Sequence, residues 1–202
     1  MLVNVKGRLS YYFLRMLKAL RKRMEYFFSV FSWMRYRHRL RKFENCASQT
    51  TCIVLCNGPS LSAVDVNSLR SFDCFALNRA YLAFDKWGFT PKYYVCINEL
   101  ILKQFKGDID SLDTIKFLNF SKRRVFGSKN SFFIRLAFKD RVVDSFNKRL
   151  SCAATVTFVA IQLAILMGYK RIGIVGLDHS FSGSGRPNET LAGSDVDENH
   201  FL

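Results

Sequence analysis

Two hydrophobic periodicities divide the chain. Between Leu9 and Met34, large apolar residues recur every three or four positions (Leu9, Phe13, Met16, Leu20, Met24, Phe27, Phe31, Met34), the spacing of one face of an α-helix. From Thr51 onward the pattern changes to short continuous apolar runs, each closed by turn-forming or polar residues. Cys52 to Cys56 reads as a buried strand entering the turn Asn57-Gly58-Pro59-Ser60, with a helix expected from about Ser62 to Arg70. Phe72 to Leu77 reads as a second strand ending at Asn78-Arg79, followed by a short helix over Ala80 to Trp87 with Gly88 as its terminating residue. Tyr93 to Ile97 is a third strand, closed by Asn98-Glu99, with a helix near Leu100 to Phe105; Ile115 to Leu118 is a candidate fourth. Val156 to Met167 gives the clearest helical signal, with Thr155 or Thr157 as cap and Gly168 as stop. Ile172 to Val175 is a last strand, running into Gly176-Leu177-Asp178-His179.

Strands apolar on both faces that alternate with helices predict an α/β fold: a Rossmann-like, mostly parallel sheet with helices on both faces. The expected organisation is a basic amphipathic helical leader over 1–45 and an α/β domain over 50–202. In such sheets ligands sit beyond the C-terminal strand ends. The loops to watch are therefore Asn57 to Ser60, Asn78-Arg79, Asn98-Glu99 and Asp178-His179.

Charge sharpens the division. The 202 residues carry 31 Lys+Arg against 16 Asp+Glu, a net charge of +15. Residues 1–45 alone hold twelve basic and two acidic residues, which leaves the remainder close to ordinary. The longest uncharged stretch of the leader, Tyr26 to Met34, is far short of the ~20 residues needed to cross a bilayer. Arg15, Lys18 and Arg21-Lys22-Arg23 interrupt any signal-peptide core. An apolar stripe flanked by cations fits a helix lying on an anionic membrane surface; the alternative is a stripe packed on the protein's own core or on a partner helix. Nucleic acid is not expected, since the aromatics interleave with large aliphatics at helical spacing and form no stacking platform. Of the six cysteines, Cys52, Cys56, Cys74 and Cys96 lie in or beside apolar runs, where a thiol acts as a small hydrophobe. This use, without zinc spacing, points to a reducing, cytoplasmic setting, peripheral on the inner face of the membrane if the leader binds lipid.

The turn Asn57-Gly58-Pro59-Ser60 is neither a Walker loop nor a dinucleotide fingerprint. It still combines a glycine that lets backbone approach a phosphate with a serine at the expected helix start. A plain strand-to-helix turn would use the same residues. Asp178-His179 offers an acid beside an imidazole directly after a strand, suited to proton transfer or, through the carboxylate, to a divalent metal; otherwise Asp178 caps a turn. His200 follows the Gly/Ser-rich stretch Ser182 to Gly185 and Gly193, placing it on a segment able to close over a ligand.

Taken together, Cys56-Asn57-Gly58-Pro59-Ser60-Leu61, Phe75-Ala76-Leu77-Asn78-Arg79, Gly88-Phe89-Thr90-Pro91-Lys92-Tyr93-Tyr94, Thr155 to Ala164, Met167-Gly168-Tyr169, Gly176 to Phe181 and Asn199-His200-Phe201 resemble the 6-hydroxymethylpterin diphosphokinase MptE-like domain family. The resemblance spans about residues 50–202. It is similar in turn to bacterial CMP-sugar sialyltransferases and to flagellin motility accessory factors. It implies nucleotide contacts at Asn57, Gly58, Pro59, Ser60 and Asn78, with His200 as catalytic base; Thr155 is a further candidate for the nucleotide, and Asp178 and His179 stand as the other candidate catalytic residues. Cys56 stands where relatives often carry Gly, as do Ala153-Ala154. Relatives continue past the Asn-His-Phe segment, so the chain is expected to be a fragment, truncated at its C-terminus.

The expected function is a nucleotide-dependent transferase, a sialyltransferase-like glycosyltransferase taking a CMP-sugar donor to a surface-glycan or lipid-linked acceptor, with no cofactor required. The alternatives are a 6-hydroxymethyl-7,8-dihydropterin diphosphokinase using ATP and Mg²⁺, with Asp178 as metal ligand, and a catalytically silent membrane-associated scaffold.

Overall fold

Buried β-branched and aromatic runs build the sheet. In the computed structural model, residues 5–138, 141–153 and 155–178 are described, with side chains from residue 11 onward. The chain forms two compact units, Met1–Arg41 and Lys42–Leu202. The first is dominated by helix α1 (Val5–Tyr36), 32 residues long, or about 48 Å at 1.5 Å per residue. Among the described residues, no helix is long and apolar enough to cross a membrane.

The second unit is an α/β structure. Strands β1 (Thr51–Leu55), β2 (Asp73–Leu77), β3 (Tyr93–Cys96), β4 (Ile115–Asn119) and β5 (Ser131–Ile134) run parallel in that order. Two short strands, β6 (Leu136–Ala137) and β7 (Leu150–Ser151), pair with each other apart from the sheet. Strand β8 (Arg171–Val175) then adds to the free side of β1, giving the order β5-β4-β3-β2-β1-β8, parallel throughout. The chain thus steps one way from β1 to β5 and returns to the other side of β1. With right-handed crossovers, the first four connections cover one face and the return covers the other. The return carries α5 (Val156–Met167), which packs on β1, β2 and β3. As an almost wholly apolar helix it suits a site between sheet and further chain; Val159, Leu163 and Met167 are fully buried.

The core is aromatic. Phe75 stacks on Tyr93 with ring centroids 4.5 Å apart, and Phe43 meets Phe117 and Phe132 edge-on at 4.9 and 4.7 Å. Cys52, Cys56, Cys74, Cys96 and Cys152 are buried free thiols, and Cys46 is an exposed one.

Several expected elements differ. Ser62 to Arg70 is not an α-helix but two 3-10 turns, Pro59–Ala63 and Val66–Leu69. Asp65 causes the break: its side chain accepts the Asn67 N–H at 3.1 Å and starts a new turn, a local bond that competes with helix continuation. Ala80 to Trp87 is mostly a 3-10 turn, Asn78–Ala83, with only Phe84–Trp87 (α2) α-helical; Gly88 ends it at φ 67° as expected. Helix α3 (Glu99–Gln104) lies as predicted. Helix α4 (Lys106–Ser111), β5 and the β6–β7 pair were not anticipated.

Candidate functional site

The return of the chain to the far side of β1 makes the β1–β8 boundary the topological switch point of the sheet, where an open α/β fold places its ligand. The two loops there stay hydrogen-bonded beyond the strands: Cys56 N–H donates to Val175 O at 2.8 Å and Gly58 N–H to Gly176 O at 2.9 Å. Around them lies a hollow of about 180 Å³ lined by Cys56, Asn57, Gly58, Leu77, Asn78, Val156, Thr157, Gly176, Leu177 and Asp178. The structure thus brings together Asn57, Gly58, Asn78 and Asp178 from three separate loops.

Gly58 and Asp178 fit each other. Gly58 has an ordinary extended backbone, φ −73°. What demands glycine is space, because a Cβ there would stand 2.1 Å from Asp178 Oδ2 and 2.7 Å from Gly176 O. The same Oδ2 accepts the Ser60 N–H at 2.8 Å. The amide expected to meet a phosphate is therefore answered by an internal carboxylate, and Asp178 does cap a turn. Pro59 opens a five-residue 3-10 turn with Gly58 as its N-cap, so Ser60 stands at no α-helix start.

A second hollow, about 540 Å³, opens at the ends of β2 to β5 and is lined by Asn78, Ile97, Asn98, Glu99, Asn119, Phe120, Arg135, Leu136, Phe138, Arg149, Cys152 and Val156. Asn78 and Val156 wall both hollows. An asparagine thus ends each of four successive strands, and the four differ in what they do. Asn98 caps α3 by accepting the Leu100 and Ile101 N–H groups at 2.9 and 3.4 Å. Asn119 accepts from Ser121 N–H at 3.0 Å and donates to Ile97 O at 3.3 Å. Asn57 and Asn78, by contrast, each bury Oδ1 with no hydrogen-bond partner among the described residues. Asn78 is further held at φ 47°, with its carbonyl accepting the Tyr94 hydroxyl at 2.5 Å. Buried acceptors without donors cost stability, which sets these two amides apart from Asn98 and Asn119.

Other candidates sort by their contacts. Thr155 is the cap of α5: its hydroxyl accepts the Phe158 N–H at 3.2 Å, and Thr157, one of the two residues named as a possible cap, lines the smaller hollow instead, 3.6 Å from Cys56 Sγ. Burial pushes the Cys56 thiol up, so it is a poor nucleophile. Glu99 faces the larger hollow, but the bonds from Lys122 and Ser121 hold its carboxyl below the usual range, which makes it a weak base. The hollow's other charges are Arg135 and Arg149. Neither arginine was singled out in the sequence, since β5 and β7, which carry them to the rim, were not foreseen. His179 and His200, with the Ser182 to Gly185 and Gly193 stretch, lie outside the described residues. Among the described residues, no three His, Cys, Asp or Glu side chains stand together as a metal site.

A model of the family described as 6-hydroxymethylpterin diphosphokinase MptE-like matches residues 25–184. The match starts inside α1, earlier than the motifs after residue 50 suggested. No curated protein and no solved structure matches the chain.

Proposed function

Since the chain belongs to the MptE-like family, we propose that it is a transferase that holds a nucleotide-activated donor across the two hollows at the strand ends. The observation that carries this reading is the pair of buried, partnerless amide oxygens of Asn57 and Asn78 at the switch point. They suit the amino and hydroxyl donors of a nucleoside, and the first turn of the twelve-residue α5, at the same rim, suits its phosphate. The larger hollow has room for a sugar and an acceptor hydroxyl, and Arg135 and Arg149 suit an acidic sugar such as the one a CMP donor carries. We therefore favour a sialyltransferase-like glycosyltransferase with a surface-glycan or lipid-linked acceptor. His200 is its proposed base, with His179 and Asp178 positioning the donor.

The diphosphokinase alternative draws on the family's description. It needs Mg²⁺, which takes one or two carboxylates together with substrate phosphates and water. Among the described residues, Asp178 is the one carboxylate lining the smaller hollow, and it already accepts the Ser60 N–H. The described residues thus offer the metal less than they offer a nucleoside.

Titration calorimetry with CMP tests the reading. Asn78→Gly preserves the left-handed backbone while removing the amide. It should weaken CMP binding by about tenfold or more, the worth of a buried hydrogen bond. Unchanged affinity in a folded Asn78→Gly protein, or AMP release from ATP in the presence of Mg²⁺ and a hydroxymethylpterin without CMP binding, would overturn it.

A further inference from the structure

Nothing in the nucleotide reading uses α1, and its surface is unusual. At 100° per residue, Phe13, Met16, Leu20, Met24, Phe27 and Phe31 fall within an arc of about 80°. All six are exposed, from 49% for Leu20 to 69% for Phe27. The helix carries eight basic residues and a single acid, Glu25, which is already engaged by Arg21 at 3.0 Å. On the same wheel Arg15, Lys18 and Lys22 fall on the side opposite the stripe, Arg21 falls between that side and the stripe, and Arg23 and Arg35 flank its two edges. The Arg35 guanidinium lies 5.9 Å from the Phe31 ring centre, so a long cationic side chain runs along the apolar surface with its charge at the margin.

We propose that α1 is an in-plane anchor on an anionic lipid surface. The six-residue stripe enters the boundary between headgroups and acyl chains, Arg23 and Arg35 at its margins meet the lipid phosphates, and the cations on the far side add attraction through the surface potential, which reaches about a Debye length. Charge complementarity selects this occupant. A second copy docked stripe to stripe would set basic flanks against basic flanks with no acids to answer them, whereas paired helices use complementary flanking charge. A polyanion in solution would take the cationic side and leave the stripe in water. An anionic bilayer satisfies both sides at once. The inference stands independently of the nucleotide reading.

The test is co-sedimentation of the full chain with vesicles of phosphatidylcholine alone and of phosphatidylcholine doped with phosphatidylglycerol, over a salt series. Binding should require the anionic lipid and fall with salt. Lys18→Gln and Lys22→Gln should each weaken it about fivefold, the equivalent of about 1 kcal/mol per cation. Leu20→Ser combined with Phe27→Ser should abolish it at unchanged charge. These positions are exposed, so the urea midpoint of each variant serves as the check that the fold is intact. Equal binding to neutral vesicles, no binding to anionic ones, or indifference to both sets of substitutions would overturn the proposal. So would a dimer in size-exclusion chromatography that the Leu20→Ser, Phe27→Ser variant dissolves, which would name a second copy as the occupant.

Discussion

Gly58 shows how one residue's meaning changes with its neighbour. In the sequence it reads as room for a phosphate; in the fold the room is taken by the Asp178 carboxylate, 118 residues from the Ser60 amide it accepts. No local pattern contains that pairing, so the loop could be located from its strand-end position but its contacts could not. The two residues share one space, and Gly58→Ala should displace the carboxylate. We expect a loss of about 1–3 kcal/mol in urea unfolding, the range for a strained or unsatisfied buried group. In a double-mutant cycle, the cost of Asp178→Ala should shrink in the Gly58→Ala background. Strictly additive costs would show that the two side chains do not compete. Asn57 and Asn78 were legible as loop residues for a simpler reason, since polar residues directly after buried strands stand out against apolar runs. What separated them from Asn98 and Asn119 is the hydrogen-bond geometry, which the sequence does not carry.

At the scale of elements, β1, β2, β3, β4, β8 and α5 were readable because each is an apolar run bounded by turn residues. β5, Ser131–Ile134, runs on into Arg135-Leu136-Ala137-Phe138 with no turn residue to close it, so the sequence does not bound it as a strand. The β6–β7 pair has two residues on each side and exists only through its pairing. Its connection to α5 contains Ala153 at φ 35°, a left-handed conformation that L side chains adopt at a cost. Glycine adopts this conformation freely. Ala153→Gly should therefore stabilise the protein by about 0.5–1 kcal/mol, the relief of backbone strain less the greater freedom glycine gives the unfolded chain. A lower urea midpoint for Ala153→Gly would refute this.

Across the whole molecule, one cluster of buried titratable groups stands at the opposite end of the sheet from the hollows. At the start of β2, Asp73 accepts from Lys92 Nζ at 2.8 Å and from the Tyr169 hydroxyl at 2.5 Å, and Tyr93 adjoins them. Burial, then the bond to Asp73, raises the Tyr169 hydroxyl far above its ordinary value. A group raised in the folded state lends stability that is complete below its unfolded value, near 10, and lost as pH climbs above it. Tyr169→Phe should cost about 2 kcal/mol at neutral pH, as a bond to a charged group does. The gap between wild type and variant should narrow above about pH 10. CMP affinity should not change, because the cluster and the hollows occupy opposite strand ends; a loss of binding would contradict that separation. The strand order has one more consequence, in the time domain. β1 lies inside the finished sheet, yet one of its two neighbours, β8, is the last strand described. As the chain leaves the ribosome, β1 to β5 can zip together while the far edge of β1 stays open. The switch-point cleft, Asp178 included, comes into being only when β8 closes that edge. Until then the nascent protein exposes the apolar edge of the five-residue β1, the stage at which it is most exposed to aggregation and has most need of a chaperone.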